Sequence, residues 1–382
     1  MIDGHANARV VDALRDAIAF RGEVGLQVAA YLGDELVIDA WAGVADPASG
    51  RPVGGDTLFN VFSVSKAVAS MAVHVQAERG LVEYDQPVAR YWPEFGANGK
   101  DGITVRDVLN HHTGTPQMPA GTTPELICDW DAVCAGIAGL APILPRHKPA
   151  YQAMSFGWIT GEIVRRTDNK RRSFRDFLRE EIAAPYGIDD LWMGIDPQVA
   201  PRIATLIDED SSRAAPEASL FAQALPNSVR LVPAVFNLPA VRQACLPAVG
   251  GIFTARSEAR FWAILAGGGQ LDGKRLLSRQ RVLDACQPRP GGNDADPVYF
   301  NAPMTLAQGG FWKPSESGMT CAAKGGSPLS ICVPGAGGSL GWADPESGLA
   351  VAFCHNRMFR PTSCDSHPLT AIAALIRDEL GL

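Results

Sequence analysis

A serine and a lysine stand three residues apart, Ser63 and Lys66, in the segment LFNVFSVSKAVAS. Residues three apart on a helix share a face, so the amine of Lys66 could reach the hydroxyl of Ser63, whereas Ser65 would point elsewhere. An amine whose pKa is lowered by burial or nearby positive potential can accept the serine proton and so activate a nucleophile. The N–H groups at a helix start are free, so the Ser63 amide could donate to a developing oxyanion. If the pair is catalytic, it is a serine nucleophile with its base and an oxyanion donor beside it.

The same spacing also fits a polar helix start whose lysine faces water. Three apolar residues precede the pair, and they place Ser63 at a junction between a buried segment and a helix: Phe59, Val61 and Phe62. An exposed polar pair is less expected at such a junction. The residues alone leave the catalytic pair and the polar helix start as open alternatives.

The elements around this pair can be predicted from periodicity. Apolar residues recur at helical spacing from Lys66 to Gly80, a glycine suited to the left-handed position after a helix end. Upstream, VGLQVAAYL and ELVIDAWAG are apolar, strand-like runs joined by Gly33 and Asp34, a pair suited to a tight hairpin turn. Strand patterns return near the other end in LSICV, SLGWA and LAVAFCHN, the last two separated by the turn DPESG.

Helices are predicted at both termini. The segment MIDGHANARVVDALRDAIAF has the apolar spacing of an amphipathic helix, and SHPLTAIAALIRDEL forms the closing helix. Ser366 is the expected N-cap of the closing helix, with Pro368 in its first turn, where proline is tolerated.

We therefore predict an α+β fold with two domains. An antiparallel sheet built from both chain ends and flanked by helices takes residues 1–84 and 240–382. A mostly helical domain, residues 85–239, is inserted between them and includes TVRDVLNHHTG, FGWITGEIVRRT and SFRDFLREEIAAPYG, the last with Ser173 as its N-cap. A cleft is expected where the two domains join.

Composition and charge exclude several classes of function. The chain has 382 residues, 46% of them hydrophobic and 20% charged, and a net charge of −7. A folded globular protein is expected, and neither nucleic acid nor a membrane is expected as a partner. We expect no secretory signal, hence a cytoplasmic location. The eight cysteines form no C-x-x-C pair, so we expect reduced thiols and no zinc site.

Several other segments resemble catalytic, phosphate-binding or metal-binding motifs, but each has a simpler structural explanation. GGSLG, around Ser339, matches G-x-S-x-G, but a strand pattern follows where a nucleophile elbow needs a helix. GGQLDGKR is better explained as a hairpin tip than as a phosphate loop. His111 and His112 lack a metal-ligand spacing, and no metal or cofactor is expected. Trp312 and His355 could line a pocket or pack in the core.

Five segments in order resemble one known family. They are LFNVFSVSKAVAS, LVEYDQPVARYWPEF, ITVRDVLNHHTG, FGWITGEIVRRT and VPGAGGSLGWADPESGLAVAFCHNRM. They are similar to the class C branch of the serine β-lactamase and penicillin-binding-protein superfamily, with its family VIII carboxylesterases. The resemblance runs from Leu26 to Met358 and implies a β-lactamase-like fold. It also implies that Ser63 is the nucleophile and Lys66 its base.

The resemblance implies a second motif at Tyr151, in the segment KPAYQAMSFGWITGE. A phenol near Lys66 could exchange protons between Ser63 and the leaving group. Ala153 stands where the lactamases and peptidases usually carry Asn, and this form is more like the esterases. It weakens the expectation of a β-lactam or peptide substrate.

The third motif, K-T-G in lactamases and often H-x-G in related esterases, aligns with Val333, Pro334 and Gly335. The basic residue is missing, so recognition of a substrate carboxylate is put in doubt. Gly335 could still let the substrate approach the backbone, and the Ala336 N–H would be the second oxyanion donor beside that of Ser63. Lys324, in AAKGGS, is the rival for the basic position, but it lies too far before the glycine run.

The expected function is that of a serine hydrolase that cleaves carboxylic esters of small molecules through an acyl-Ser63 intermediate. The alternatives are an acyltransferase that passes the acyl group to an alcohol, a β-lactamase or amide hydrolase, and a catalytically silent binding protein. The expected partner is a small-molecule ester. No oligomeric state is predicted.

Overall fold

Thirteen strands are formed within residues 2–208, 214–291, 294–316, 318–359 and 364–382, which the computed structural model describes. They are β1 (Gly25–Leu32), β2 (Glu35–Asp46), β3 (Arg51–Pro52), β4 (Phe59–Phe62), β5 (Leu191–Met193), β6 (Gly251–Phe253), β7 (Gln270–Leu271), β8 (Lys274–Arg275), β9 (Ala295–Asp296), β10 (Ala302–Pro303), β11 (Ile331–Pro334), β12 (Leu340–Asp344) and β13 (Leu349–His355). Six of them form one antiparallel sheet in the order β11-β12-β13-β1-β2-β3. The sheet therefore joins the two ends of the chain, as predicted.

Twelve α-helices lie in the same described ranges. They are α1 (Gly4–Arg21), α2 (Ser65–Glu78), α3 (Val105–Leu109), α4 (Trp130–Ala138), α5 (Ser155–Thr167), α6 (Phe174–Leu178), α7 (Leu220–Ala224), α8 (Pro233–Phe236), α9 (Pro239–Gln243), α10 (Ala255–Ala266), α11 (Arg279–Cys286) and α12 (Pro368–Leu380). The terminal helices α1 and α12 pack against each other, and α10 packs on β1, β12 and β13. The predicted α+β fold with helices flanking the sheet is confirmed.

The predicted hairpins and helices largely follow their sequence signals. Gly33, with φ of +59°, turns β1 into β2, and Gly80, with φ of +71°, follows the end of α2. Ser173 caps α6 by accepting a hydrogen bond from Asp176 N–H. GGQLDGKR forms the β7–β8 hairpin, and GGSLG lies between β11 and β12 rather than before a helix.

The predicted cap of the closing helix is wrong. His367, not Ser366, caps α12, because the His367 side chain accepts the hydrogen bond from Leu369 N–H. Pro368 occupies the first turn as expected. A histidine with an unprotonated ring nitrogen can serve where Ser or Asp is usual.

A second, three-stranded sheet positions the Ser63 segment. Its order is β4-β6-β5, so the strand that leads into Ser63 pairs with β6 and, through β6, with β5. β5 is the strand of this sheet that lies within residues 85–239, whose described part also contains helices α3 to α8. The domain boundaries 1–84, 85–239 and 240–382 stay a prediction.

One pair of cysteines departs from the expectation of reduced thiols. Cys321 and Cys364 form a disulfide across 43 residues of sequence, and it ties a 3₁₀ helix, Gly318–Ala323, to the segment that precedes α12. The expectation was therefore wrong for this pair. The other six cysteines are free thiols.

No helix in the described part of the chain combines the length and the apolar character that crossing a membrane requires. Within the same residues, no group of three or more His, Cys, Asp or Glu side chains is placed to hold a metal ion.

Candidate active site

A sharp turn between β4 and α2 presents Ser63. Phe62, the last residue of β4, has φ of +49°, a left-handed conformation that is rare for a bulky residue. Ser65 stabilises this turn, because its Oγ donates to Phe62 O and accepts a hydrogen bond of 2.7 Å from Gly251 N–H. Ser65 is fully buried, so its hydroxyl serves the backbone of the turn. Ser63, in contrast, retains an exposed fraction of 9%.

Lys66 lies in the first turn of α2 with its amine surrounded by oxygen atoms. Its Nζ lies 3.0 Å from Ser63 Oγ, 2.8 Å from Ala153 O and 2.9 Å from Ala248 O. Burial lowers the pKa of Lys66 well below its ordinary value of 10.5, because a charged amine loses hydration there. A neutral amine has two N–H donors and one lone pair. With the donors on the two carbonyls, the lone pair is left to face Ser63.

Tyr151 completes the group from the opposite side. Its hydroxyl donates to Ser63 Oγ at 3.3 Å, and the centre of its ring is 5.0 Å from Lys66 Nζ. Burial, followed by the neighbouring Tyr299 and to a smaller extent by the charge of Asp296, raises the pKa of Tyr151 well above 10. The side chain is therefore a neutral phenol, and it can donate a proton but not begin the reaction as a base.

The backbone around Tyr151 is held at three consecutive N–H groups. Ala150 N–H donates to His111 O at 2.9 Å, and Gln152 N–H donates to His111 Nδ1 at 3.1 Å. Between them, Tyr151 N–H donates to Asp296 Oδ2 at 2.9 Å. The Tyr151 main chain is thus fixed from two sides before a substrate arrives.

His111 can accept this bond because its ring is neutral. Burial lowers the pKa of His111 well below 6.5. The sequence does not predict this role for His111, which is a lone histidine after a helical pattern, in the segment NHHTG. It does not predict the role of Asp296 either, because no motif surrounds Asp296.

The predicted third motif comes close to the Ser63 turn. A Cβ atom on Gly335 would overlap Val61 O, so the chain after β11 passes the end of β4 at backbone contact distance. Gly335 N–H donates to Ser339 O at 2.7 Å. Within the described ranges, neither the Ser63 N–H nor the Ala336 N–H is committed to a hydrogen bond.

The side chain of Val333 is fully buried in β11, where Val333 is paired with Gly341. Lys324, the rival for the missing basic residue, lies at the surface with its Nζ 3.6 Å from a Glu316 carboxylate oxygen. The structure therefore does not bring Lys324 to Ser63.

Trp312 and His355 take different places. The Trp312 backbone pairs with Cys332 through bonds of 2.8 and 2.9 Å, and its ring meets Tyr151 edge to face at 5.9 Å between centres. His355 instead lies with Nδ1 3.0 Å from a Glu23 oxygen, both side chains being buried. Its ring packs beneath Gly338, where an added Cβ would lie 3.0 Å away. Trp312 thus borders Tyr151, and His355 supports the turn that carries Ala336.

Comparison with known proteins agrees with this geometry. The family described as Beta-lactamase matches residues 10–375 of the chain. The chain is 33% identical over 380 residues to the esterase/beta-lactamase LipL of Mycobacterium tuberculosis, an alignment that covers 94% of this chain and 83% of that protein.

Two solved structures are similar along almost the entire chain. A family VIII carboxylesterase has a TM-score of 0.86 and 29% identity, with 98% of this chain and 99% of that one covered. A penicillin-binding protein homolog from Caulobacter crescentus has a TM-score of 0.85 and 31% identity, with 98% of each chain covered.

Proposed function

This chain belongs to the β-lactamase family, and from that premise we propose that it is a serine carboxylesterase that cleaves esters of small molecules. One observation carries the proposal: Ser63 Oγ lies between a buried lysine amine at 3.0 Å and a neutral phenol at 3.3 Å. The names of similar proteins, an esterase/beta-lactamase and a family VIII carboxylesterase, support the ester as substrate.

In the first half of the proposed reaction, Ser63 becomes acylated. Lys66 takes the hydroxyl proton as Oγ bonds to the ester carbonyl carbon. The Ser63 and Ala336 N–H groups donate to the resulting oxyanion. When the carbon–oxygen bond to the alcohol breaks, the leaving oxygen takes the phenol proton of Tyr151, and Tyr151 is reprotonated by Lys66.

In the second half, water replaces the alcohol. Its oxygen bonds to the acyl carbon, and its proton passes to Lys66, directly or through Tyr151. The tetrahedral intermediate then collapses, the bond to Oγ breaks, and Ser63 recovers its proton from Lys66. The acid leaves, and every proton taken up has been returned.

Two positions favour an uncharged ester over a β-lactam or a peptide. Ala153 has no side-chain amide, and the apolar Val333 stands where related enzymes have a basic residue. The binding of an amide or a carboxylate would leave those substrate groups without a partner, at a cost in affinity. Gly335 offers only backbone there. A cytoplasmic location and the absence of macromolecular partners remain predictions from the sequence.

The test is a panel of p-nitrophenyl esters of increasing acyl length, with nitrocefin alongside, on wild type and Ser63→Ala. We expect hydrolysis of the esters by wild type only, and little or no opening of nitrocefin. A serine-reactive phosphonate should label wild type at Ser63. Equal hydrolysis by both proteins would contradict the nucleophile, and failure to label would favour a silent binding protein. Faster capture of the acyl group by added alcohol than by water would make the enzyme an acyltransferase.

A further inference from the structure

A row of aromatic side chains runs from Tyr151 to the protein surface. The Tyr151 ring meets Tyr299 edge to face at 5.2 Å between ring centres, and Tyr299 meets Phe221 at 5.8 Å. Phe221 stacks with Phe300 at 5.7 Å, and Phe300 is 65% exposed. We call Tyr151, Tyr299, Phe221 and Phe300 the aromatic row. It connects the group that contacts Ser63 Oγ with solvent.

The row is built by two separate parts of the chain. Phe221 lies on α7, and Tyr299 and Phe300 lie in the turn between β9 and β10. The base of that β-hairpin contains Asp296, whose carboxylate accepts the Tyr151 N–H. One short hairpin therefore holds Tyr151 and also carries the outer rings, so the position of the row relative to Ser63 is fixed.

Phe300 occupies an unfavourable backbone conformation. Its φ is +55°, and that of Asn301 is +63°, both in the left-handed region. A bulky residue in this region is destabilised unless other contacts compensate. The turn is maintained by hydrogen bonds from Asn301 N–H to Asp296 O and from Ala302 N–H to Tyr299 O. The strain and the exposure of a large apolar ring together indicate a binding role rather than packing.

The chemistry of Tyr151 determines which part of the substrate meets the row. Its phenol gives its proton to the leaving oxygen, so the alcohol portion of the ester must lie beside Tyr151 and extend along the rings that touch it. We propose, on the basis of the proposed esterase function, that the aromatic row binds the alcohol portion and selects esters of aryl and arylalkyl alcohols. Edge-to-face and offset contacts between rings favour an aromatic group over an aliphatic one of similar size.

The experiment compares two isomeric esters, benzyl acetate and ethyl benzoate, with ethyl acetate as reference. Benzyl acetate carries its ring in the alcohol, and ethyl benzoate carries it in the acyl group. We expect Phe300→Ala and Phe221→Ala to lower kcat/KM for benzyl acetate about tenfold relative to ethyl acetate, as the loss of one good ring contact predicts. The ratio of kcat/KM for ethyl benzoate to that for ethyl acetate should not change.

Phe20→Ala is the matched control, because Phe20 is 82% exposed on α1 and lies outside the row. It should alter neither ratio. Phe300 is exposed, so its replacement does not endanger folding, and Phe221→Leu replaces Phe221→Ala if the latter does not fold. The inference would be overturned if both ratios were unchanged in the Phe300 and Phe221 variants, or if only the ratio for ethyl benzoate fell. The proposed esterase function would still stand in either case, as long as hydrolysis depended on Ser63. Absence of any Ser63-dependent hydrolysis would overturn both.

Discussion

Lys66 can act as a base because of what surrounds it. Its amine contacts two backbone carbonyls and Ser63 Oγ, and no carboxylate pairs with it in the parts of the chain that the structure describes. A nearby Asp or Glu would stabilise the ammonium and hold the proton on it. Neutral carbonyl dipoles orient the amine without making it strongly basic. Burial then favours the uncharged form that the first proton transfer needs.

This environment predicts the acidic side of the pH profile. A protonated Lys66 cannot accept the Ser63 proton, so kcat/KM should fall as the pH drops through the lowered pKa of Lys66. Lys66→Met should reduce kcat/KM on the order of 10³-fold across the profile, as loss of a general base usually does. Lys324→Met, at an exposed lysine, is the control and should leave the profile unchanged. An acidic limb that persists in Lys66→Met at high residual activity would assign it to another group.

The contacts of Asp296 lead to a prediction for the alkaline limb of the pH profile of kcat/KM. Its carboxylate holds the Tyr151 N–H, and its charge contributes to the raised pKa of the Tyr151 phenol. Asp296→Asn keeps one acceptor oxygen for Tyr151 N–H, gives up the second oxygen that accepts from Val298 N–H, and removes the charge. The pKa of Tyr151 should therefore fall, and the alkaline limb of kcat/KM should move to lower pH. Asp294→Asn, which alters an exposed carboxylate two residues away, should not move it. If Asp296→Asn loses activity without a shift of the limb, Asp296 is purely structural.

At this scale, local spacing revealed only part of the site. The three-residue interval between Ser63 and Lys66 can be read directly from the sequence, and the family resemblance indicates Tyr151. The bond between Asp296 and Tyr151 spans 145 residues and depends on how the β9–β10 hairpin docks. A carboxylate in a short strand without a motif carries no sign of such a distant partner.

Among the elements, the junction of β4 and α2 is the one on which the nucleophile depends. Ser65 Oγ bridges Phe62 O and Gly251 N–H and thereby connects the turn to β6. Because all three residues are buried, solvent has no access from which it could replace the hydroxyl. The two serines of the motif therefore have different surroundings: Ser65 stabilises the backbone of the turn, and Ser63 is the proposed nucleophile.

This difference predicts unlike effects of two similar substitutions. Ser65→Ala leaves the buried Gly251 N–H and Phe62 O without a partner, so the free energy of unfolding should fall by about 1–3 kcal/mol. Ser63→Ala should abolish ester hydrolysis and lower the free energy of unfolding by less than Ser65→Ala does, because it leaves the bridge between Phe62 O and Gly251 N–H intact. Urea denaturation followed by circular dichroism measures both. A Ser65→Ala protein as stable as wild type would show that the bridge contributes nothing.

Elements with strong periodicity were predictable, and short ones were not. β1, β2 and β13 are long enough to show an alternating or continuous apolar pattern, and the turns between neighbouring strands carry glycine. β5 and β6 have three residues each, too few for a period to emerge. Their pairing with β4 is decided by tertiary contacts, yet it is this small sheet that positions Ser63.

On the scale of the whole molecule, the core between α10 and the large sheet contains an acid. Glu258 of α10 is fully buried, and the Cys354 thiol of β13 donates to its Oε2 at 3.4 Å. Gly341 of β12 leaves the room that the carboxyl occupies, since an added Cβ would overlap Oε1. Burial raises the pKa of Glu258 to about 8. Near neutral pH this core therefore favours a protonated carboxyl.

Glu258 thus makes the stability of the fold depend on pH. Between its ordinary pKa of 4.5 and about 8, the folded state holds one more proton than the unfolded state. The free energy of unfolding should therefore be highest below pH 4.5, as far as this group is concerned, and fall by about 1.4 kcal/mol per pH unit towards pH 8. Glu258→Gln, a neutral side chain of the same shape, should remove this slope.

At pH 8 we expect Glu258→Gln to be more stable than wild type, on the order of 4 kcal/mol, and the difference should shrink towards pH 5. Urea denaturation of both proteins between pH 5 and 8.5 measures it. Glu83→Gln, at an exposed position, should keep the wild-type slope. Because Glu258 touches neither Ser63 nor the aromatic row, kcat/KM should not change, so a gain in stability with unaltered hydrolysis separates this core acid from the chemistry. A slope that survives in Glu258→Gln would assign the pH dependence to other groups.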